Sequence, residues 1–117
     1  MWHAWTYDEL LKYLIESAAS GTDKLDDDAA DAFYWSMEWR RLRPKIKARD
    51  HHECILCAKR GRVERMRLYV HHISPLKRRY DLRTDDNNLI TLCYGCHELV
   101  HGRASTDNRE PMREEWW

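Results

Sequence analysis

No apolar run in this chain approaches the length of a membrane-spanning helix, so no helical membrane segment is expected. The first residues, Met1-Trp2-His3-Ala4-Trp5-Thr6-Tyr7-Asp8, lack the basic and apolar regions of a secretory signal. A cytoplasmic, reducing setting is the expectation. No internal repeat is present, and at 117 residues the length suits one small domain with an appendage. Net charge is missing as well, since 20 basic side chains face 20 acidic ones.

That zero conceals a pattern. Residues 1–30 carry seven acidic and two basic side chains, a net of −5, and residues 81–117 carry eight and four, a net of −4. Residues 31–80 carry fourteen basic and five acidic side chains, a net of +9. A basic middle between acidic ends fits a surface facing a polyanion. A solvated charged face would give the same count.

Thr6-Tyr7-Asp8-Glu9 reads as a capping box, with Thr6 as N-cap and Glu9 as its reciprocal partner. It predicts a helix to about Ser17 with Leu10, Leu11, Leu14 and Ile15 on one side, ended by Ser20-Gly21-Thr22. Asp23 to Asp31 reads as a linker or a short polar helix. Ser36 is a second N-cap, with Trp39, Leu42 and Ile46 on one helical face and Arg40, Arg41, Arg43, Lys45, Lys47 and Arg49 outside. Pro44 either kinks that helix or starts another. Phe33, Tyr34 and Trp35 read as packing residues. Met66, Leu68 and Val70 alternate with Arg67 and Tyr69, predicting a strand over 66–70, and Leu89 to Leu92 predicts a second. A helix from Tyr94 to His101 ends at Gly102, and a polar tail closes on Trp116-Trp117.

The chain has four cysteines, all in Cys-x-x-Cys pairs: Cys54 with Cys57, and Cys93 with Cys96. In a reducing setting such pairs point to metal rather than disulfides, and four thiolates at tight-turn spacing suit a structural zinc ion. His97 and His101 have the spacing of a finger, so a Cys54, Cys57, His97, His101 site is the competing partition. It would leave Cys93 and Cys96 idle, and the 39 residues between Cys57 and His97 far exceed a finger's interval. Four cysteines with His71, His72, His97 and His101 exceed one tetrahedron, so two metal sites are expected. His97 and His101 share one face of a helix. His71 and His72 point to opposite sides of a strand, so one suits a metal and its neighbour the adjoining cleft.

Tyr69-Val70-His71-His72-Ile73-Ser74-Pro75-Leu76, then Asn88-Leu89-Ile90-Thr91-Leu92-Cys93-Tyr94-Gly95-Cys96-His97, with His101 beyond, resembles the HNH endonucleases. Trp39-Arg40-Arg41-Leu42-Arg43 and Arg49-Asp50 before Cys54 extend the resemblance to the small zinc-containing members of phages and bacteria, over roughly residues 33–103. It implies an α+β fold, a ββα-metal (His-Me finger) core with a four-cysteine zinc site and extra N-terminal helices. The implied organisation is an acidic helix and linker over 1–30, a nuclease domain over 31–103 and a tail over 104–117. His72 takes the place of the general base, and His71, His97 and His101 the places of ligands to a catalytic divalent metal (Mg²⁺, Mn²⁺, Ni²⁺ or Zn²⁺). Asn88 holds the middle position, which in some members binds metal and in others ties down the loop. DNA is the implied substrate, with Arg103, Lys77, Arg78, Arg79, Arg40 and Arg41 as candidate phosphate contacts. Members of this type often accompany a phage terminase, which would be a protein partner. Two rivals stand beside the nuclease: a catalytically silent zinc module that binds DNA, and an adaptor using the acidic helix and the tryptophan-rich ends.

Overall fold

The computed structural model describes Trp2 and residues 4–102, so Arg103, the tail and Trp116-Trp117 lie outside the described residues. The capping box forms: Thr6 N donates to Glu9 Oε1 at 2.8 Å and Glu9 N donates to Thr6 Oγ1 at 3.2 Å. Helix α1 (Tyr7–Ala19) follows and buries Leu10 and Leu14. The acidic stretch after it is partly helical. Asp26 caps α2 (Asp27–Trp35), its Oδ1 accepting from Ala29 N at 2.8 Å, and Asp27 and Asp28 meet the positive end of the helix. Residue 30 lies inside this helix, with Phe33 and Tyr34 buried beyond it. Ser36 then caps α3 (Met37–Arg49), with Pro44 inside a single helix rather than at the start of a second. Trp39 and Ile46 are its buried residues.

Cys54 acts as N-cap of α4 (Ile55–Lys59), its Sγ accepting from Cys57 N at 3.4 Å. Strands β1 (Leu68–His72) and β2 (Leu89–Cys93) pair antiparallel, with His71 opposite Ile90 and His72 opposite Leu89. The expected strand over 66–70 is displaced. Arg67 has φ +52°, which breaks the extended backbone, and Met66 stays outside at 73 % exposure. The alternation read from the sequence is absent because helices cover both faces of the pair, and all of 69–72 is buried. Helix α5 (Tyr94–Val100) ends at His101, with Gly102 at φ +71°.

Opposite residues on paired strands share a face. Ile90 and Leu92 pack with Leu10, Leu14, Leu56, Val100 and the buried cysteines. Val70 and Leu89 pack on the other side with Phe33, Tyr34, Trp39 and Ile46. Arg49 and Asp50 fasten α3 to β2: Arg49 donates to the carbonyls of Asp86 and Leu89, both at 2.7 Å, and Asp50 Oδ2 accepts from Thr91 N at 2.9 Å. Arg49, expected on the outer face of its helix, is thereby committed within the fold.

Candidate active site

The period of two in β1 sends its two histidines to opposite faces. His71 faces α5, where the helical spacing of His97 and His101 brings both rings to one side. The ring centroids of His71 lie 5.6 Å from His97 and 5.2 Å from His101, and those of His97 and His101 are 4.7 Å apart. One nitrogen from each lies within 4.8 Å of the other two, so the three can share one metal ion. Burial, then the neighbouring His97, His101 and His72, holds the His71 imidazole well below its usual 6.5. It is therefore neutral at pH 7, the form that ligates metal. Tyr69 stacks on His97 with centroids 5.2 Å apart at 14°, and the buried Glu98 carboxylate lies 3.6 Å from His97 Nδ1.

Cys54, Cys57, Cys93 and Cys96 form the second cluster, with all four sulfurs within 4.8 Å of one another. Cys57 Sγ lies 3.8 Å from Cys93 Sγ and 3.7 Å from Cys96 Sγ. A tetrahedron with Zn–S of about 2.3 Å has edges of about 3.8 Å, so the donor set and its spacing fit such an ion. Hydrogen bonding with Cys54 and then Cys96 pulls the Cys93 thiol down, while hydrogen bonding with Cys54 and then Cys93, with burial behind them, pushes Cys96 up. Crowded thiols cannot all ionise unaided, and a cation at their centre removes that conflict. The finger-like partition does not form, because His97 and His101 belong to the histidine cluster.

His72 faces the other way, into an aromatic box. Its ring stacks on Trp39 at 5.0 Å and 25°, with Phe33 and Tyr34 edge-on, and the residue is 0 % exposed. These side chains line the space that His72 faces. His72 Nε2 lies 3.0 Å from the Arg83 carbonyl. A carbonyl only accepts, so Nε2 carries the proton and Nδ1 the lone pair. The Tyr34 hydroxyl lies 3.5 Å from Nδ1.

Asn88 lies outside the histidine cluster and holds the loop between the strands. Its Oδ1 accepts from Ser74 N at 2.8 Å, and its Nδ2 donates to the carbonyls of Ser74 at 3.2 Å and Leu82 at 3.3 Å. Asn88→Ala is expected to cost about 2–3 kcal/mol, because buried backbone groups lose their partners. A denaturant titration reads that loss.

The candidate phosphate contacts divide. Lys77 pairs with Asp27, and Arg78 binds Asp23 at 2.9 Å and the carbonyls of Ala18 and Ser20. Arg79 pairs with the exposed Asp81. Arg40 and Arg41 are exposed on α3, with Arg40 over the Trp35 ring. Sequence reasoning passed over three neighbours of the site. Tyr34 and the Arg83 carbonyl reach His72 across many residues and leave no local signal. Glu98 stands beside His97 in the motif, and its charge on a buried helix face was the available sign.

A strand pair and a helix presenting a histidine triad, with a cysteine cluster joining the strand-to-helix junction, form the arrangement of a ββα-metal fold, in which each cluster could hold a metal ion. The profile of the HNH endonuclease family matches residues 54–103. The crystal structure of the HNH endonuclease of deep-sea thermophilic bacteriophage GVE2, determined with manganese ion, superposes with a TM-score of 0.62 at 37 % identity. That match covers 65 % of this chain and 82 % of the phage protein. Among curated proteins, no sequence matches. The chain belongs to the HNH endonuclease family, a family whose substrate is DNA.

Proposed function

We propose that the protein is a divalent-metal-dependent DNA endonuclease, with residues 31–103 as the nuclease unit and the preceding helix as a buttress on its core. The observation that carries this reading is the buried convergence of His71, His97 and His101 within the family-matched segment. An ion held by these three supplies a Lewis acid for the scissile phosphate and its leaving oxygen. The Mn²⁺ of the phage relative supports such an ion here, and zinc is the natural occupant of the cysteine cluster. β1 ends at His72, so a phosphate lying across the strand end borders both faces. His72 takes the proton of the attacking water at Nδ1, while the Arg83 carbonyl fixes the ring through Nε2–H. Water reaches Nδ1 when the Tyr34 hydroxyl gives way, so productive DNA binding includes a small opening of α2. Asn88 keeps the loop in register. Arg40 and Arg41 contact phosphate backbone, and Lys77, Arg78 and Arg79 join once DNA displaces their acidic partners. A place beside a phage terminase rests on the family resemblance.

Nicking of supercoiled plasmid with added Mg²⁺, Mn²⁺ or Ni²⁺ tests the reading. Activity is expected to fall on acidification, because His72 must be neutral to accept a proton, whereas His71, held well below 6.5 by burial, keeps its metal-ligating form to lower pH than an ordinary imidazole. A pH–rate profile with no acid limb would sink this chemistry. The complete burial of His72 favours one alternative, a silent DNA-binding module in which that ring is a core residue. Salt-sensitive DNA binding without nicking under any of the three metals would establish it.

A further inference from the structure

The loop that follows the first cysteine pair has no part in the chemistry above. Residues 59–67 read Lys59-Arg60-Gly61-Arg62-Val63-Glu64-Arg65-Met66-Arg67, five basic side chains against one acidic. The same stretch holds Val63 at 69 % and Met66 at 73 % exposure, the highest values among large hydrophobics of the described residues. Apolar side chains so open are ordinary singly. Here two stand within four positions, among exposed Arg62, Arg67 and Arg65, the last 3.3 Å from Glu53 in a surface ion pair that a phosphate can replace.

The backbone around them is fixed. Arg62 N donates to the Cys57 carbonyl at 3.0 Å, Cys54 N to the Glu64 carbonyl at 2.9 Å, and Tyr94 N to the Arg67 carbonyl at 2.9 Å. Met66 N is held by Glu64 Oε2 at 3.1 Å. The loop is thus tied at its start and middle to the Cys54 pair, and at its end to the residue after Cys93. Gly61 at φ +74° and Arg67 at φ +52° make its two sharp bends. The foot of the loop also reaches the histidine site. The Arg67 guanidinium lies over Tyr94 at 4.1 Å, Tyr94 adjoins Tyr69, and Tyr69 stacks on His97.

We infer that this loop is a preformed contact for duplex DNA, in which Arg62 and Arg65 face phosphates while Val63 and Met66 press on the sugar and base edges of the minor groove. Two arguments choose DNA over a protein partner. The charge is that of a polyanion ligand, and apolar wedges flanked by arginines are the means by which proteins enter and open a minor groove. A loop already held by the cysteine cluster loses little conformational freedom on binding. The inference rests on DNA being the substrate, but it does not require that His72 be the base.

The test uses the full chain with its metal and two double variants, V63S/M66S and R62Q/R65Q. Both alter exposed side chains, and an unchanged melting curve checks that the fold is kept. Binding to a short labelled duplex is read by anisotropy at several salt concentrations, and nicking is read beside it. V63S/M66S is expected to raise Kd and KM about tenfold with kcat and the salt slope kept. R62Q/R65Q is expected to lower the slope of log affinity against log salt by about 2. Variants that bind and nick like the parent, in a preparation whose parent nicks, overturn the loop assignment alone. A parent that binds through the loop but never nicks upholds the assignment and defeats the nuclease. Loss of a dimer in sedimentation by V63S/M66S, with DNA affinity unchanged, overturns it in favour of self-association.

Discussion

Replacing His72 is expected to lower metal-dependent nicking by about 10²–10⁴-fold, the range of a lost general base. The substitution has to be chosen with its surroundings in mind. His72→Ala leaves a void beneath Trp39 and an unpartnered Arg83 carbonyl, at a cost of about 2–4 kcal/mol. A loss of activity in that variant mixes chemistry with stability. His72→Gln refills part of the box and has an amide to donate to the same carbonyl, yet cannot accept a proton at neutral pH. If His72 is the base, both variants lose nicking together while Gln retains more of the melting temperature. If His72 is only a core residue, nicking follows stability, and Gln recovers much of it. Equal nicking by parent and variants would point to a contaminating nuclease or to another base.

The two histidines of β1 show what the sequence makes legible. Their adjacency fixes opposite faces, and the helical spacing of His97 and His101 fixes a shared one. The triad was therefore readable as local geometry plus one long-range contact. The cysteine cluster was readable by exhaustion, since four thiols in two turns leave none over. The capping box at Thr6 and the cap at Ser36 were readable because they are satisfied within one helical turn. What escaped depends on tertiary partners. Period-two alternation around Met66 described a half-exposed strand, while the real strand is covered by helices on both faces. The acidic Asp23–Asp31 stretch had two readings, a linker or a short polar helix, and it is helical from Asp27 onward. Its order comes from Lys77 and Arg78, more than fifty residues away in part, and from backbone bonds of Lys24 and Leu25 to the Lys77 carbonyl. Lys77 and Arg78, proposed phosphate contacts, are paired to this stretch in the folded chain. A run of basic side chains does not reveal that its counter-charges lie on the same chain. Asn88 had two readings, and its three hydrogen bonds to the loop backbone favour the structural one.

Removing the ion that the cysteine cluster is proposed to hold is expected to have the largest effect on the molecule. A thiolate-bound structural zinc contributes on the order of 10 kcal/mol to folding, and domains of this kind have a total stability of about 5–15 kcal/mol. The first figure is comparable to the whole of the second. The position of the cluster makes the comparison apt. Cys54 and Cys96 lie in the same core as Leu10, Leu14, Ile90 and Leu92, and the two pairs join α4 to the junction of β2 and α5. Losing the ion therefore releases α1's packing surface and α5 together, and with α5 the histidines it carries. A strong chelator, or Cys57→Ser at a thiol within 3.8 Å of both Cys93 and Cys96, is expected to remove most of the cooperative melting transition. Zn²⁺ should restore it after chelation, whereas Mg²⁺ should not, because a hard cation prefers oxygen ligands to thiolates. That difference separates the two metal sites in one protein. Mg²⁺ or Mn²⁺ that restores nicking only to protein already refolded with zinc would place structure in the cysteines and catalysis in the histidines. A chelated protein that melts as before would show that the helices and the two-stranded sheet stand without an ion, and the four cysteines would then be reduced core residues.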